Sequence, residues 1–281
     1  MSQSFASGGV AVITGGASGI GLSLAKKCHG YGMRVVIADW NSDALDAASK
    51  SLGADVTPFK MDVSKKEDWE SLKTVVQKDL DGRINILALN AGIGRKTPWD
   101  DASAFQDIFS VNFMGVVNGI AALLPLVEQT ASNGSNSSIV ITGSKQGITN
   151  PPGNPAYNAS KAAVKSIAEH LSFDLRNKEN LSVHLLVPGW TFTGMTGGSA
   201  KADAKKPDGA WWPDQVVDFL EKKVQEGQFW AICPDNDVTE ALDKKRMLWA
   251  AGDMVQGRPP LTRWREDWKD KAKESIDATD V

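Results

Sequence analysis

Short runs of β-branched and aliphatic residues recur along this chain, and most are followed by a longer segment with helical spacing. "VAVIT" begins at residue 10, "RVVIA" at 34, "INILAL" at 84, "SIVIT" at 138, "VHLLV" at 183 and "FWAI" at 229. These runs are apolar at successive positions rather than alternating, which suits strands buried on both faces of a parallel sheet. Between them, "GIGLSLAKKCHGYG", "KKEDWESLKTVVQKDL" and "YNASKAAVKSIAEHLSFDLRN" repeat apolar residues every three or four positions, the spacing of one helix face. The alternation predicts an α/β fold built of βαβ units, a doubly wound parallel sheet with a ligand crevice outside the carboxyl ends of its strands.

Charge and cysteine content narrow the ligand. Lys and Arg number 31 against 34 Asp and Glu, a formal net charge of −3. No run of like charge is long enough for a nucleic-acid or membrane-binding arm, so a small molecule is the expected partner. Cys28 and Cys233 are too few for a disulfide framework, and His29, His170 and His184 are too scattered for a metal cluster. "MSQSFASGG" has neither a basic region nor an apolar run, and no uninterrupted apolar segment approaches about 18 residues. A soluble, cytoplasmic protein is the expectation.

Two regions break the rhythm. Residues 190–212, "WTFTGMTGGSAKADAKKPDGAWW", are rich in Gly, Lys and small residues and follow a strand end, so a mobile substrate loop over the crevice is expected there. Residues 256–281 form a charged tail after a Pro-Pro break, expected at the surface or partly disordered. The catalytic domain is therefore assigned to 1–255. The polar stretch "TASNGSNSS" at 130–138 reads as a surface loop.

"TGGASGIG" at 14–21 stands between the first strand and the first helix. Gly15 can take the angles of a tight turn, Gly19 and Gly21 leave room for a phosphate and for helix packing, and Ser18 and Ile20 lie in the same turn. The N–H groups of the helix beyond would meet the negative charge. Asp39 closes the second strand near the spacing at which an acid meets the adenosine ribose, and Trp40 follows it. A carboxylate accepts bonds from both ribose hydroxyls and repels a 2′-phosphate, and neither Trp40 nor the glycine turn offers a compensating base. NAD is therefore expected over NADP, and Asp39 could cap the following helix as well.

In order along the chain, these residues resemble the compact short-chain dehydrogenase/reductase family. "TGGASGIG" is similar to its TGxxxGIG turn, "NAG" at 90–92 to its NAG element, "YNASK" at 157–161 to its YxxxK element, "SVNFMG" around Asn112 to its VN element and "PGWTFT" at 188–193 to its PGxxxT loop. Ser144 lies thirteen residues before Tyr157. The motifs span roughly residues 10–235. The resemblance implies a Rossmann sheet and a catalytic tetrad of Asn112, Ser144, Tyr157 and Lys161. It also implies cofactor contacts by Asp62 and Val63 at the adenine, by Asn90, Ala91 and Gly92 along the adenosine ribose and pyrophosphate, and by Pro188, Gly189, Thr191 and Thr193 near the nicotinamide. The family often has Val where Thr191 stands.

The implied chemistry can be tested on first principles. Forming a tyrosine phenolate at pH 7 without help costs about 4 kcal/mol. A cation one helical turn away, Lys161, and the positive ring of an oxidised nicotinamide both favour the phenolate. Tyr157 then serves as acid and base. Ser144 would bond the substrate oxygen as charge develops on it. Lys161 would also bind the nicotinamide ribose, and Asn112 would hold a water linking Lys161 to solvent. Taken singly, Tyr157 and Lys161 also suit a solvated pair on one helix face.

Ten tryptophans accompany two tyrosines, and Trp99, Trp190, Trp211 and Trp212 fall in segments expected to border the crevice. They would suit a bulky or aromatic alcohol or ketone, although covering core or subunit contacts would use them equally well. The expected activity is NAD-dependent interconversion of a secondary alcohol and a ketone by a homodimer or homotetramer. An extended-branch epimerase or dehydratase, or a non-catalytic NAD-sensing protein of the same fold, would be the alternatives. The segment "DVTEALDKKRMLWAAGDM" after "QFWAICP" extends beyond the usual end of compact members, and could block a subunit contact or close a neighbour's site.

Overall fold

The computed structural model describes residues 4–53, 55–197 and 205–281. Its seven strands are β1 Val10–Thr14, β2 Arg34–Asp39, β3 Val56–Lys60, β4 Ile86–Leu89, β5 Ser137–Thr142, β6 Leu181–Val187 and β7 Trp230–Ile232. They form one parallel sheet in the order β3-β2-β1-β4-β5-β6-β7. The chain reverses its direction of travel across the sheet between β1 and β4, which pair with Ala11 opposite Ile86 and Ile13 opposite Ala88. Such a switch point opens a crevice at the carboxyl ends of the strands. The doubly wound fold expected from the alternating runs is the one observed.

Helices cover both faces. On one side α1 (Gly19–Gly30), α2 (Ser42–Leu52) and α8 (Pro213–Gln225) bury Leu24, Leu45, Val216 and Leu220 against Ala11, Ile13 and Ile37. On the other, α3 (Lys66–Asp79), α5 (Gly115–Ser132) and α7 (Pro155–Asp174) bury Trp69, Leu123 and Val164 against Val12, Leu87 and Ile139. Because both faces are packed, β1 is buried at all five positions, which explains its unbroken apolar run.

β3 is absent from the expected strands. It is one edge of the sheet, three of its five residues, Thr57, Pro58 and Lys60, are exposed, and proline in an edge strand costs no ladder bond on the open side. An edge strand therefore lacks the continuous apolar signature of its neighbours. The polar 130–138 stretch divides: α5 runs on to Ser132, while Ser137 and Ser138 are fully buried at the start of β5.

Ala102–Ser132 holds no uninterrupted apolar run of about 18 residues, yet it is long and apolar enough to cross a bilayer, with a mean hydropathy of 1.7 over its most apolar 18-residue window. It comprises α4 (Ala102–Phe109), a π-helical turn at Ser110–Met114 and α5. Half of its most apolar window is buried within the fold, as in the central helix of a packed domain.

Beyond β7, α9 (Glu240–Val255) turns back at a strap in which Arg258 stacks 3.7 Å above the Trp249 ring and pairs with Asp253 at 3.0 Å. The 256–281 segment, expected as a tail, carries α10 (Lys269–Ala278), and Ala272 and Ile276 pack with Trp249 in a small core of their own.

Candidate active site

A cleft of about 640 Å³ runs along the carboxyl ends of β1, β2, β4, β5 and β6. Its walls bring together nearly all the residues singled out in the sequence: Gly15, Ser18, Gly19, Ile20, Asp39, Trp40, Asp62, Val63, Asn90, Ala91, Gly92, Ser144, Tyr157, Lys161, Pro188, Gly189, Thr191 and Thr193. Gly21 and Asn112 stand behind this surface rather than on it.

The glycine turn has steric reasons for its composition. Gly15 adopts φ +64°, and a Cβ built on Gly21 would come within 2.1 Å of the Gly15 carbonyl oxygen. The turn is thus so tight that Gly21 serves packing rather than ligand contact. Ser18 at the N-cap of α1 makes no side-chain capping bond, so the first-turn N–H groups are left for an anion. Asp39 accepts from the backbone N–H of Ala17 (3.3 Å) and of Asn41 (3.1 Å), while Asn41, and not Asp39, caps α2 through Ala44 N–H. A tight phosphate-sized turn, an uncapped helix N-terminus and a carboxylate at the end of β2 together fit a dinucleotide.

Thr14 and Asn90 lock this turn to the sheet, and Thr14 was not foreseen. Its hydroxyl donates to Ala88 O (3.2 Å) and accepts from the N–H groups of Asn90 and Ala91 (2.9 and 3.1 Å). Asn90 donates to Thr14 O and accepts from Thr142 Oγ1, both at 3.1 Å, so one amide spans β1, β4 and β5. A polar residue closing an apolar strand, as in "VAVIT" and "SIVIT", was the available signal.

Tyr157 and Lys161 lie on α7, whose start Pro155 favours by its fixed backbone angle. Lys161 is buried, with Nζ donating to Thr142 O at 2.7 Å and lying 5.9 Å from the centre of the Tyr157 ring. Burial lowers its pKa to about 8, which leaves the ammonium predominantly protonated at neutral pH. The Tyr157 phenol behaves differently from the simple expectation. Burial raises its pKa, and the opposing influence is the hydrogen bond with Ser144 rather than the lysine. With its Nζ 5.9 Å from the ring centre and one of its three protons donated to Thr142 O, the ammonium leaves desolvation dominant.

Asn112 has a structural part in the site. Its side-chain oxygen accepts from Ile93 N–H (2.8 Å) and its amide donates to Ile93 O (3.0 Å) and Ser160 Oγ (3.1 Å). The fully buried side chain, projecting from the π-helical turn, is spent on holding the 90–94 segment against α7. In turn, Ser160 Oγ donates to Tyr157 O (2.8 Å), which continues the clamp into the helix that carries the tyrosine.

None of Trp99, Trp190, Trp211 and Trp212 is among the described cleft-lining residues. Trp99 is 83% exposed and stacks on Phe105, while Trp211 packs its ring on Phe219 and pairs its backbone with the 190–192 segment that carries the cleft-lining Thr191. Trp190 and Trp212 are half exposed, with Trp212 edge-on to Phe192. Apolar lining is instead given by Ile93 and Met195, and Gly94 lies between Met195 and the Tyr157 ring. Of the expected 190–212 loop, residues 198–204 lie outside the described residues, while Thr191, Thr193, Gly194, Met195 and Thr196 line the cleft. Among the described residues no group of three or more His, Cys, Asp and Glu gathers as a metal site would require.

The profile of the short chain dehydrogenases matches residues 9–204, more than half of the chain. The chain belongs to the short-chain dehydrogenase family. This short-chain dehydrogenase is 34% identical to the short-chain dehydrogenase/reductase PhomF of Diaporthe leptostromiformis over 216 residues, covering 69% of this chain and 73% of that protein. It is 31% identical over 191 residues to the NADP-dependent (R)-specific alcohol dehydrogenase of Lentilactobacillus kefiri, covering 66% of this chain and 74% of that one. Among solved structures, a short chain dehydrogenase/reductase from Burkholderia phymatum in complex with NAD superposes with a TM-score of 0.79 at 28% identity, over 90% of this chain and 96% of that chain.

Proposed function

We propose that this short-chain dehydrogenase is an NAD-dependent oxidoreductase that interconverts a secondary alcohol and a ketone, with Tyr157 as acid and base. The observation that carries the reading is the convergence of Ser144, Tyr157 and Lys161 on one cleft that also contains the glycine turn and Asp39. The alcohol dehydrogenase from Lentilactobacillus kefiri supports the reaction class, and the NAD complex from Burkholderia phymatum supports the nucleotide.

The cofactor would rest its pyrophosphate on the 15–21 turn, its adenosine ribose on Asp39, its adenine by Asp62 and Val63, and its nicotinamide end by Pro188, Gly189, Thr191 and Thr193. When bound, the oxidised nicotinamide supplies a hydride acceptor and a positive charge. Tyr157 Oη takes the hydroxyl proton of the alcohol as the carbinol hydrogen leaves with its electron pair, and returns that proton in the reverse direction. Ser144 Oγ donates to the substrate oxygen and keeps it within reach of the phenol. Lys161, buried and charged, favours the phenolate once a second positive charge is present and offers donors to the nicotinamide ribose.

The substrate is assigned as bulky and apolar or aromatic. Ile93 and Met195 line the same cleft as Tyr157, with Gly94 lying between Met195 and the Tyr157 ring, and the half-exposed Trp190 and Phe192–Trp212 pair adjoin the cleft-lining Thr191 and Thr193 in the chain. A screen of aliphatic, cyclic, steroid and aryl secondary alcohols for NADH formation tests the reading. Turnover of one bulky class is the expected result, and no NADH from any of them, in protein that binds NADH, would overturn it.

A further inference from the structure

Lys145, the residue directly after Ser144, has no place in the chemistry above, yet its side chain is only 12% exposed. Its ammonium lies 2.5 Å from Asp243 and 3.4 Å from Asp235, whose side chains are 3% and 9% exposed. Two buried carboxylates thus share this ammonium, and the Arg246 and Arg263 guanidinium groups add positive charge near Asp243. Breaking such a group by removing one charge costs far more than the loss of a surface pair.

The three residues come from segments far apart in the sequence. Asp243 is on α9, in the extension beyond β7, and Asp235 is in the turn that follows β7. Asp235 also accepts from Trp190 N–H at 3.3 Å. The main chain of Lys145 donates to Pro188 O (3.2 Å), and its carbonyl accepts from the N–H groups of Ile148 and Thr149, so it heads the short helix α6 (Gln146–Thr149). A Cβ on Gly189 would fall 2.5 Å from Asp235 Oδ2 and 2.9 Å from Lys145 Nζ, so the backbone beside the cleft lies directly on the ion cluster. Trp264 Nε1 adds a second tie from the C-terminal segment to α6, donating to Thr149 O at 3.3 Å.

From this geometry we infer that Lys145, gripped by Asp235 and Asp243, is a positioning residue through which the C-terminal helix α9 sets Ser144 and the 188–190 turn over the cleft. The inference rests on the proposed role of Ser144 as donor to the substrate oxygen. The extension then acts on the active site of its own chain, by fixing the strand-end loop that presents the serine. Misplacement of a reacting group by about 1 Å is enough to cost on the order of a hundredfold in rate.

The test compares Asp243→Asn, which keeps the shape and removes the charge, with Asp243→Glu, which keeps the charge. In the cofactor-free protein, hydrogen exchange read by mass spectrometry should be about tenfold faster at the amides of 146–150 and 189–190 in Asp243→Asn, with β4 unchanged. With the alcohol found in the screen, kcat per folded molecule should fall about tenfold while KM for NAD stays within about twofold, and Asp243→Glu should recover most of the loss. Lys145→Met should reproduce the Asp243→Asn phenotype, and the double variant should be no worse than either single one. Unaltered exchange in the two loops of folded Asp243→Asn overturns the inference without reference to any substrate. Loss of stability with unaltered kcat per folded molecule also overturns it, because the cluster would then only hold α9 in place. If Ser144→Ala retains full turnover, the assigned role of Ser144 fails, an outcome the exchange measurement does not share.

Discussion

The ammonium of Lys161 donates to the carbonyl oxygen of Thr142 at 2.7 Å, so the helix that carries Tyr157 is pinned to the carboxyl end of β5. Burial holds this lysine near a pKa of about 8 and pushes the tyrosine above its ordinary value. The pair is therefore arranged as a charged lysine beside a neutral phenol at pH 7, and a further positive charge is what would tip the phenol toward ionisation.

Tyr157→Phe removes the proton carrier and little else, because the ring and its packing remain. Turnover should fall by about a thousandfold, within the range attributed to acid–base groups, while NADH affinity measured by fluorescence stays nearly unchanged. Wild-type turnover in this variant would refute the assignment of Tyr157.

Asn112→Ala strips both partners from the Ile93 peptide and one from Ser160. Each buried group left unpaired costs about 1–3 kcal/mol, so the melting temperature should drop by several degrees and NAD binding should weaken as the 90–94 segment loosens. Calorimetry of the two proteins provides the check, and equal melting temperatures would mean that water replaces the amide at no cost.

Asp39→Ala should raise the ratio of kcat/KM with NADP to that with NAD, because the carboxylate that repels a 2′-phosphate is gone. The ratio is the proper readout, since loss of the bonds to Ala17 and Asn41 loosens the turn for both nucleotides alike. Equal use of both cofactors by the unaltered enzyme would argue against this role of Asp39.

His184 is fully buried, and its Nδ1 must donate to Gln228 O at 2.7 Å because a carbonyl can only accept; Nε2 therefore accepts from Ser182 Oγ at 2.8 Å. Burial depresses its pKa, so the unfolded chain takes up a proton at a higher pH than the folded one. The stability that the neutral ring confers is present above the unfolded value of about 6.5 and is lost as the pH falls below it. Melting temperatures from neutral pH down to about pH 5 should fall less steeply in His184→Gln than in the wild type, and parallel curves would count against the linkage.

Alternation of buried strands and amphipathic helices and the tight turn of Gly15, Gly19 and Gly21 were legible in the linear sequence, whereas the set Asn112, Ser144, Tyr157 and Lys161 came from the resemblance to the family. The alternation and the turn rest on local patterns: a strand buried on both faces is apolar throughout, a turn this tight excludes side chains, and residues one helical turn apart share a face. β3 escaped because an edge strand is half solvated and carries no such pattern. Tertiary structure alone decided which partners the polar groups find. It spent the Asn112 amide on Ile93, set desolvation of Tyr157 above the pull of Lys161, turned the Trp99 and Trp211 rings onto Phe105 and Phe219, and brought Asp243 from the segment beyond β7 to the residue beside Ser144. Burial and charge pairing depend on which distant segments the sheet order brings together, and a one-dimensional spacing holds no record of those distances.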